Sequence, residues 1–154
     1  MNLKIWLKKK SIRTKLKSHI VKNGKLHLSE KTVIKSFKHI QKYQKKNHTK
    51  LIKLAILNIT PTFRVIKLTN KKRRKKSIKE IPTFLSNYNS RAAWGLKYLV
   101  KASLLRTKSD KFFIKLKDEL LKSTLETESS AIEQKNNIQN KALQEKKYFR
   151  HYRW

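Results

Sequence analysis

Thr62-Phe63-Arg64-Val65-Ile66-Lys67-Leu68-Thr69 and Ile78-Lys79-Glu80-Ile81-Pro82-Thr83-Phe84-Leu85, with eight residues between them, decide the fold. The first is rich in β-branched residues and alternates, and the second returns with Ile81, Pro82 and Phe84. They read as two strands of one ribbon over residues 62–85. Pro82 has no N–H to give to a ladder, which predicts an edge or an isolated ribbon and not a central strand. A two-stranded ribbon is marginal in water. It is therefore predicted to protrude and to be ordered by a partner. Its tip holds six consecutive cations, Lys71, Lys72, Arg73, Arg74, Lys75 and Lys76.

Helical patterns flank the ribbon on both sides. A short helix is predicted over residues 13–22, stopped by Asn23-Gly24. Ser29 is an N-cap candidate for a second helix reaching Tyr43, with Val33, Ile34, Phe37 and Ile40 on one face. Thr49 is the candidate cap of a third, with Leu51, Leu54, Ala55 and Ile59 inward and Pro61 ending it. Beyond the ribbon, Asn89 is the candidate cap of a fourth helix to Leu105, with Ala92, Ala93, Leu96, Leu99 and Val100 inward. Ser109-Asp110 opens a fifth, carrying Phe112, Phe113, Leu116, Leu120 and Leu121; an early acid suits the positive end of the helix dipole. A polar stretch, residues 124–130, leads to a weakly apolar last helix over residues 131–149, predicted to lie mostly on the surface. The class is mostly α: a single-domain helical bundle of about six helices with a protruding two-stranded β-ribbon. Residues 1–17 read as a basic arm and 18–154 as the domain.

Charge narrows the function. Forty-one basic residues face nine acids, a formal net charge of +32 over 154 residues. A field of that size repels itself and destabilises the compact state unless a polyanion neutralises it. Seven of the nine acids lie beyond residue 100, so contact with the polyanion is predicted to be heaviest in the first hundred. The apolar fraction of 38% is below the roughly 45–50% of ordinary domains, which predicts a thin core completed by a partner. Only eight of the cations are arginine. Lysine lacks the bidentate fork of arginine. The Lys, Ile and Asn bias thus reads as A/T-rich gene composition. No run of about 18 apolar residues is present, which argues against a membrane span. The chain has no cysteine, hence no disulfide framework or thiolate metal site.

Catalysis finds no support in the residues. His19, His27, His39, His48 and His151 are scattered, and none has a carboxylate at ligand spacing. Asp118 and Glu119 are adjacent, point to different sides of a helix and are predicted to be a surface pair. Two glycines cannot build a phosphate loop. No catalytic residue, metal or cofactor is expected. Binding signals are richer. They comprise the arm with Lys8, Lys9, Lys10 and Arg13, the six-cation tip, and the end Tyr148-Phe149-Arg150-His151-Tyr152-Arg153-Trp154. That end interleaves aromatics able to stack on bases with arginines for phosphates.

Phe149-Arg150-His151-Tyr152-Arg153-Trp154 resembles the closing segment of the universal family of small-subunit ribosomal protein seven. Asn23-Gly24-Lys25 is similar to that family's turn after its first helix. Asn58-Ile59-Thr60-Pro61-Thr62 resembles its junction from the third helix into the ribbon, and Ile81-Pro82 its returning strand. Arg91-Ala92-Ala93 through Leu96 to Val100 resembles the fourth helix, and Asp118-Glu119-Leu120 the fifth. The order of these pieces over residues 13–154 makes the resemblance specific. Two departures stand out: a six-cation run where the family's ribbon tip carries glycines, and a pre-helix segment reduced to Asn87-Tyr88-Asn89-Ser90-Arg91.

The resemblance implies binding to the head domain of small-subunit rRNA, nucleation of head assembly, and neighbouring ribosomal proteins as partners. It also implies that the ribbon and last helix face the exit-site tRNA and mRNA path. Carried onto this chain, the ribbon is residues 62–85 and the rRNA-facing elements are the basic arm, the Asn23-Gly24-Lys25 turn and Arg91. With the binding signals read from the residues, the RNA-binding candidates are Lys8, Lys9, Lys10, Arg13, Lys22, Lys25, Lys71, Lys72, Arg73, Arg74, Lys75, Lys76, Arg91, Arg150, Tyr152 and Arg153. Composition and the retained Met1 predict an organelle-encoded, mitochondrial protein. The competing expectation is an organelle nucleoid or DNA-binding protein, which explains the charge but not the ordered segments.

Overall fold

The computed structural model describes residues 12–43, 47–70, 77–105, 111–126 and 128–145. Six helices and one two-stranded sheet lie in these residues: α1 (Ile12–Ile20), α2 (Leu26–Tyr43), α3 (His48–Ile59), β1 (Phe63–Asn70), β2 (Ser77–Phe84), α4 (Tyr88–Leu105), α5 (Phe112–Leu125) and α6 (Ser130–Gln144). The mostly-α class with its ribbon is therefore as expected.

The α1–α2 corner follows from backbone chemistry. Asn23 and Gly24 both sit at positive φ, 51° and 70°. Glycine occupies that region without a Cβ penalty, and Asn is among the side chains that tolerate it. The turn delivers the chain directly into helix, so α2 begins at Leu26 and not after Ser29. Ser29 is buried inside the first turns, where its hydroxyl donates to the Leu26 carbonyl at 2.7 Å.

Two other expected caps also shift. Asn47 precedes α3, and Thr49 lies within the first turn, its hydroxyl donating to Asn47 Oδ1 at 2.6 Å. Asn87, not Asn89, caps α4: its Oδ1 accepts the Asn89 N–H at 2.9 Å. The inward face of α3 is Ile52, Ala55, Ile56 and Ile59, while Leu54 is 46% exposed. Spacing alone allowed either rotation of that helix; the buried set follows the i, i+3, i+4, i+7 pattern. For α5, Ser109 and Asp110 lie outside the described residues, and Lys111 precedes the helix.

Packing centres on α5, which touches α2, α3, α4 and α6. The core joins Leu16, Val33, Ile40, Ile52, Ile56, Ile59, Leu96, Leu99, Leu116 and Leu120. Small residues allow close approach. A Cβ on Gly95 of α4 would stand 3.4 Å from the Thr60 Cα at the end of α3. Ser36 of α2 is fully buried and donates to Thr32 O and to Phe113 O of α5, at 2.9 and 3.0 Å.

The acid pair expected on the surface is not one. Asp118 is partly exposed, but Glu119 is 1% exposed. Its Oε1 accepts the Ser129 hydroxyl at 2.8 Å and the Ala131 N–H at 3.1 Å. A carboxylate on α5 thus satisfies an orphan donor at the start of α6, where the helix dipole also favours negative charge. α6 itself buries only Ala131 and Ala142, in keeping with its weak apolar face.

Candidate nucleic-acid interface

The ribbon leaves the bundle at Pro61 and returns at Leu85, whose N–H donates to Thr62 O at 2.9 Å. Its strands pair antiparallel in unbroken register from Phe63 opposite Phe84 to Asn70 opposite Ser77, with Val65 opposite Pro82. No third strand joins them among the described residues. Pro82 therefore forfeits no ladder bond to an outer neighbour.

α6 braces the root. Glu80 of β2 lies 3.3 Å from its cross-strand neighbour Lys67 and also receives the Lys141 ammonium of α6. Hydrogen bonds from Lys141 and then Lys67 hold the Glu80 carboxyl below its usual range, and the same contact raises Lys141. Gln139 Nε2 donates to Thr62 Oγ1 at 3.4 Å, and Lys135 Nζ to Asn58 O at 2.6 Å. Phe63 and Phe84 meet edge to face, 5.8 Å between centroids.

Of the expected RNA-binding residues, the structure places four. Arg13 is exposed on α1, its guanidinium 3.7 Å from Glu30 of α2. Lys22 and Lys25 flank the α1–α2 turn and are exposed. Arg91 is half-buried: its Nε donates to the Leu85 carbonyl and its guanidinium carbon lies 4.9 Å from the Phe84 ring centroid. That cation ties the start of α4 to the end of the ribbon, so its side chain has an internal structural task. The Lys15 ammonium reaches Asn89 Oδ1 at 3.4 Å, which brings the basic first helix beside the ribbon root. Lys8, Lys9, Lys10, Lys71, Lys72, Arg73, Arg74, Lys75, Lys76, Arg150, Tyr152 and Arg153 lie outside the described residues.

An open cleft of about 400 Å³ lies between α1, α2 and α3, lined by Ile12, Arg13, Phe37, His48, Thr49, Ile52 and Lys53. Its lining is apolar and cationic with no carboxylate. Among the described residues no cluster of His, Asp and Glu could hold a metal ion, and no helix is long and apolar enough to cross a membrane. Glu119 and the Lys67–Glu80–Lys141 contact escaped sequence reading. The partners of Glu119 lie ten and twelve residues away across a turn, and those of Glu80 on another strand and another helix.

The geometry is that of a cationic bundle with a braced, two-stranded projection. A family model described as ribosomal protein S7p/S5e matches residues 4–146 of the chain. No curated protein matches it.

Proposed function

The chain belongs to the ribosomal protein S7p/S5e family, and from that premise we propose that it binds the head domain of small-subunit rRNA in a mitochondrial ribosome. Family membership makes it a small-subunit ribosomal protein that binds rRNA beside other ribosomal proteins. The finer reading is that it nucleates head assembly and that its ribbon and last helix line the exit-site path of tRNA and mRNA. The observation that carries it is the braced ribbon: two strands that no third joins among the described residues, rooted on α6 through Glu80 and Lys141, within the span that the family model matches. The net charge of +32 supplies the sequence-independent part of the affinity. Lys8, Lys9, Lys10, Arg13, Lys22, Lys25, the tip cations 71–76, Arg91, Arg150, Tyr152 and Arg153 are the proposed contacts. The Lys, Ile and Asn bias supports the organelle assignment.

Competition binding tests the reading. The chain should prefer a head-domain rRNA transcript to duplex DNA of equal length. Equal affinity would favour a nucleoid protein instead. Neutralising residues 71–76 should lower the salt slope of RNA binding by about 0.7–0.9 per lost phosphate contact. Sedimentation of the native protein with mitochondrial small subunits checks the location.

A further inference from the structure

We propose that the outward face of α2 is a track for the phosphates of one RNA strand, through Lys31, Lys35, Lys38 and Lys42, an inference that rests on the rRNA-binding reading above. None of the four is among the contacts that the family resemblance implied. They fall at i, i+4, i+7 and i+11, and so within about 60° of one another around the helix at roughly 100° per residue. All four are exposed. The opposite face is the buried one, with Ser29, Val33, Ser36 and Ile40. The stripe runs about 16 Å along the axis at about 1.5 Å per residue, one ammonium per turn.

Among the described residues no carboxylate pairs with this row. The one acid of α2, Glu30, is turned toward Arg13 and Lys17, at 3.7 and 3.8 Å. No ion pair involving Lys31, Lys35, Lys38 or Lys42 forms among the described residues; Lys35 instead lies 5.9 Å from the centroid of the Phe113 ring on α5. The α5 residues two either side of Phe113 are Lys111 and Lys115, so the neighbouring helix adds cations and no acid there. The carboxylate of Asp118 further along α5 is held by Lys117 at 2.9 Å. Like charges at i, i+4 destabilise a helix by themselves. A helix that places four of them in register works against its own stability unless an anion with a repeating charge lies along it. The phosphodiester backbone is such an anion, and lysine serves it as a point-charge partner without reading sequence.

The test uses the full chain and a head-domain rRNA transcript. Glutamine matches lysine in helix propensity, so K31Q/K35Q/K38Q/K42Q removes charge with little cost to the helix. Its salt slope for binding is expected to fall by roughly 3, at about 0.7–0.9 per contact. The matching K31R/K35R/K38R/K42R chain is expected to keep the original slope. In the unmodified complex, the four lysines are expected to be protected from acetylation, a readout independent of whether any variant folds. An unchanged slope in the glutamine chain, or equal acetylation free and bound, would overturn the track. So would a glutamine chain that keeps its RNA slope but loses a neighbouring ribosomal protein, which would make the stripe a protein contact. If the unmodified chain binds transcript and duplex DNA equally, the rRNA reading itself fails, and the track with it.

Discussion

Helices α2 and α6 present outward stripes of identical geometry and opposite chemistry. On α2 the stripe is Lys31, Lys35, Lys38 and Lys42; on α6, at the same spacing, it is Glu133, Asn137, Asn140 and Gln144, all exposed. Lysine and asparagine are both written in A-rich codons. Base composition can explain why both are abundant but not why one face takes only lysine and the other takes none. The inner faces differ as well. α2 is held by Val33, Ile40 and the half-buried Phe37, while α6 fully buries only two alanines, packs Ile132 and Ile138 partly buried against the core, and adds polar contacts. The lysines Lys135 and Lys141 of α6 are engaged inside the protein, on Asn58 O and Glu80. The contrast teaches that a lysine here has one of two tasks, bracing the ribbon or facing a polyanion, and that position separates them.

Breaking the apolar anchorage of α2 carries the largest expected effect. Ile40 is 1% exposed within the core. Ile40→Ala should destabilise the chain by about 3 kcal/mol through lost transfer energy and a residual cavity. Urea unfolding checks it, and a loss well under 1 kcal/mol would mean that α2 is not held by its core face. The corresponding anchor of α6 is a carboxylate. Glu119→Ala leaves the Ser129 hydroxyl and the Ala131 N–H without their acceptor, at an expected cost of about 2 kcal/mol. Amide exchange should rise first at the start of α6. If instead exchange rose uniformly, the two helices would not be anchored independently.

These two anchors also show what the sequence made legible. The ribbon and the order of helices followed from alternation, from Pro82 and from 3.6-residue periodicity, which are local. So did the surface position of α6. The pairing register came only with the structure, and so did the caps: Ser29, Thr49 and Asn89 each have the right side chain, but the turn before each helix set where it starts. Leu54 and Ile52 are equally apolar, and only packing against α5 chose Ile52. Glu119 looked like half of a surface pair because nothing near it announces its partners. The α2 stripe was written in the spacing, yet it was hidden among 41 basic residues. Only the buried face opposite gave it a direction.

A smaller effect separates bracing lysines from facing ones. The Glu80 carboxyl is held below the usual 4.5 by Lys141 and Lys67. A carboxylate with a lowered folded pKa contributes its stabilisation in full above its unfolded pKa and loses it as pH falls through the folded value. Protection of β2 amides should therefore hold above about pH 4.5 and decline below it. Glu80→Gln should show the reduced protection at every pH. If the variant and the natural chain coincide at neutral pH, Lys141 does not brace the ribbon.

The last comparison is expected to show no recovery at all. Take the chain with glutamine at 31, 35, 38 and 42 and add Glu133→Gln, Asn137→Lys, Asn140→Lys and Gln144→Lys. Four charges leave α2 and four units return on α6, so the formal net charge is again +32. A diffuse polyanion attraction depends on total charge and would restore the lost salt slope. Counterion release at defined phosphates depends on where the ammonium groups sit. The slope for a head-domain transcript should thus remain lowered by roughly 3, indistinguishable from the α2 variant alone. Recovery of the original slope would mean that the charge of this protein acts as a cloud and that the lysine face of α2 is an accident of composition.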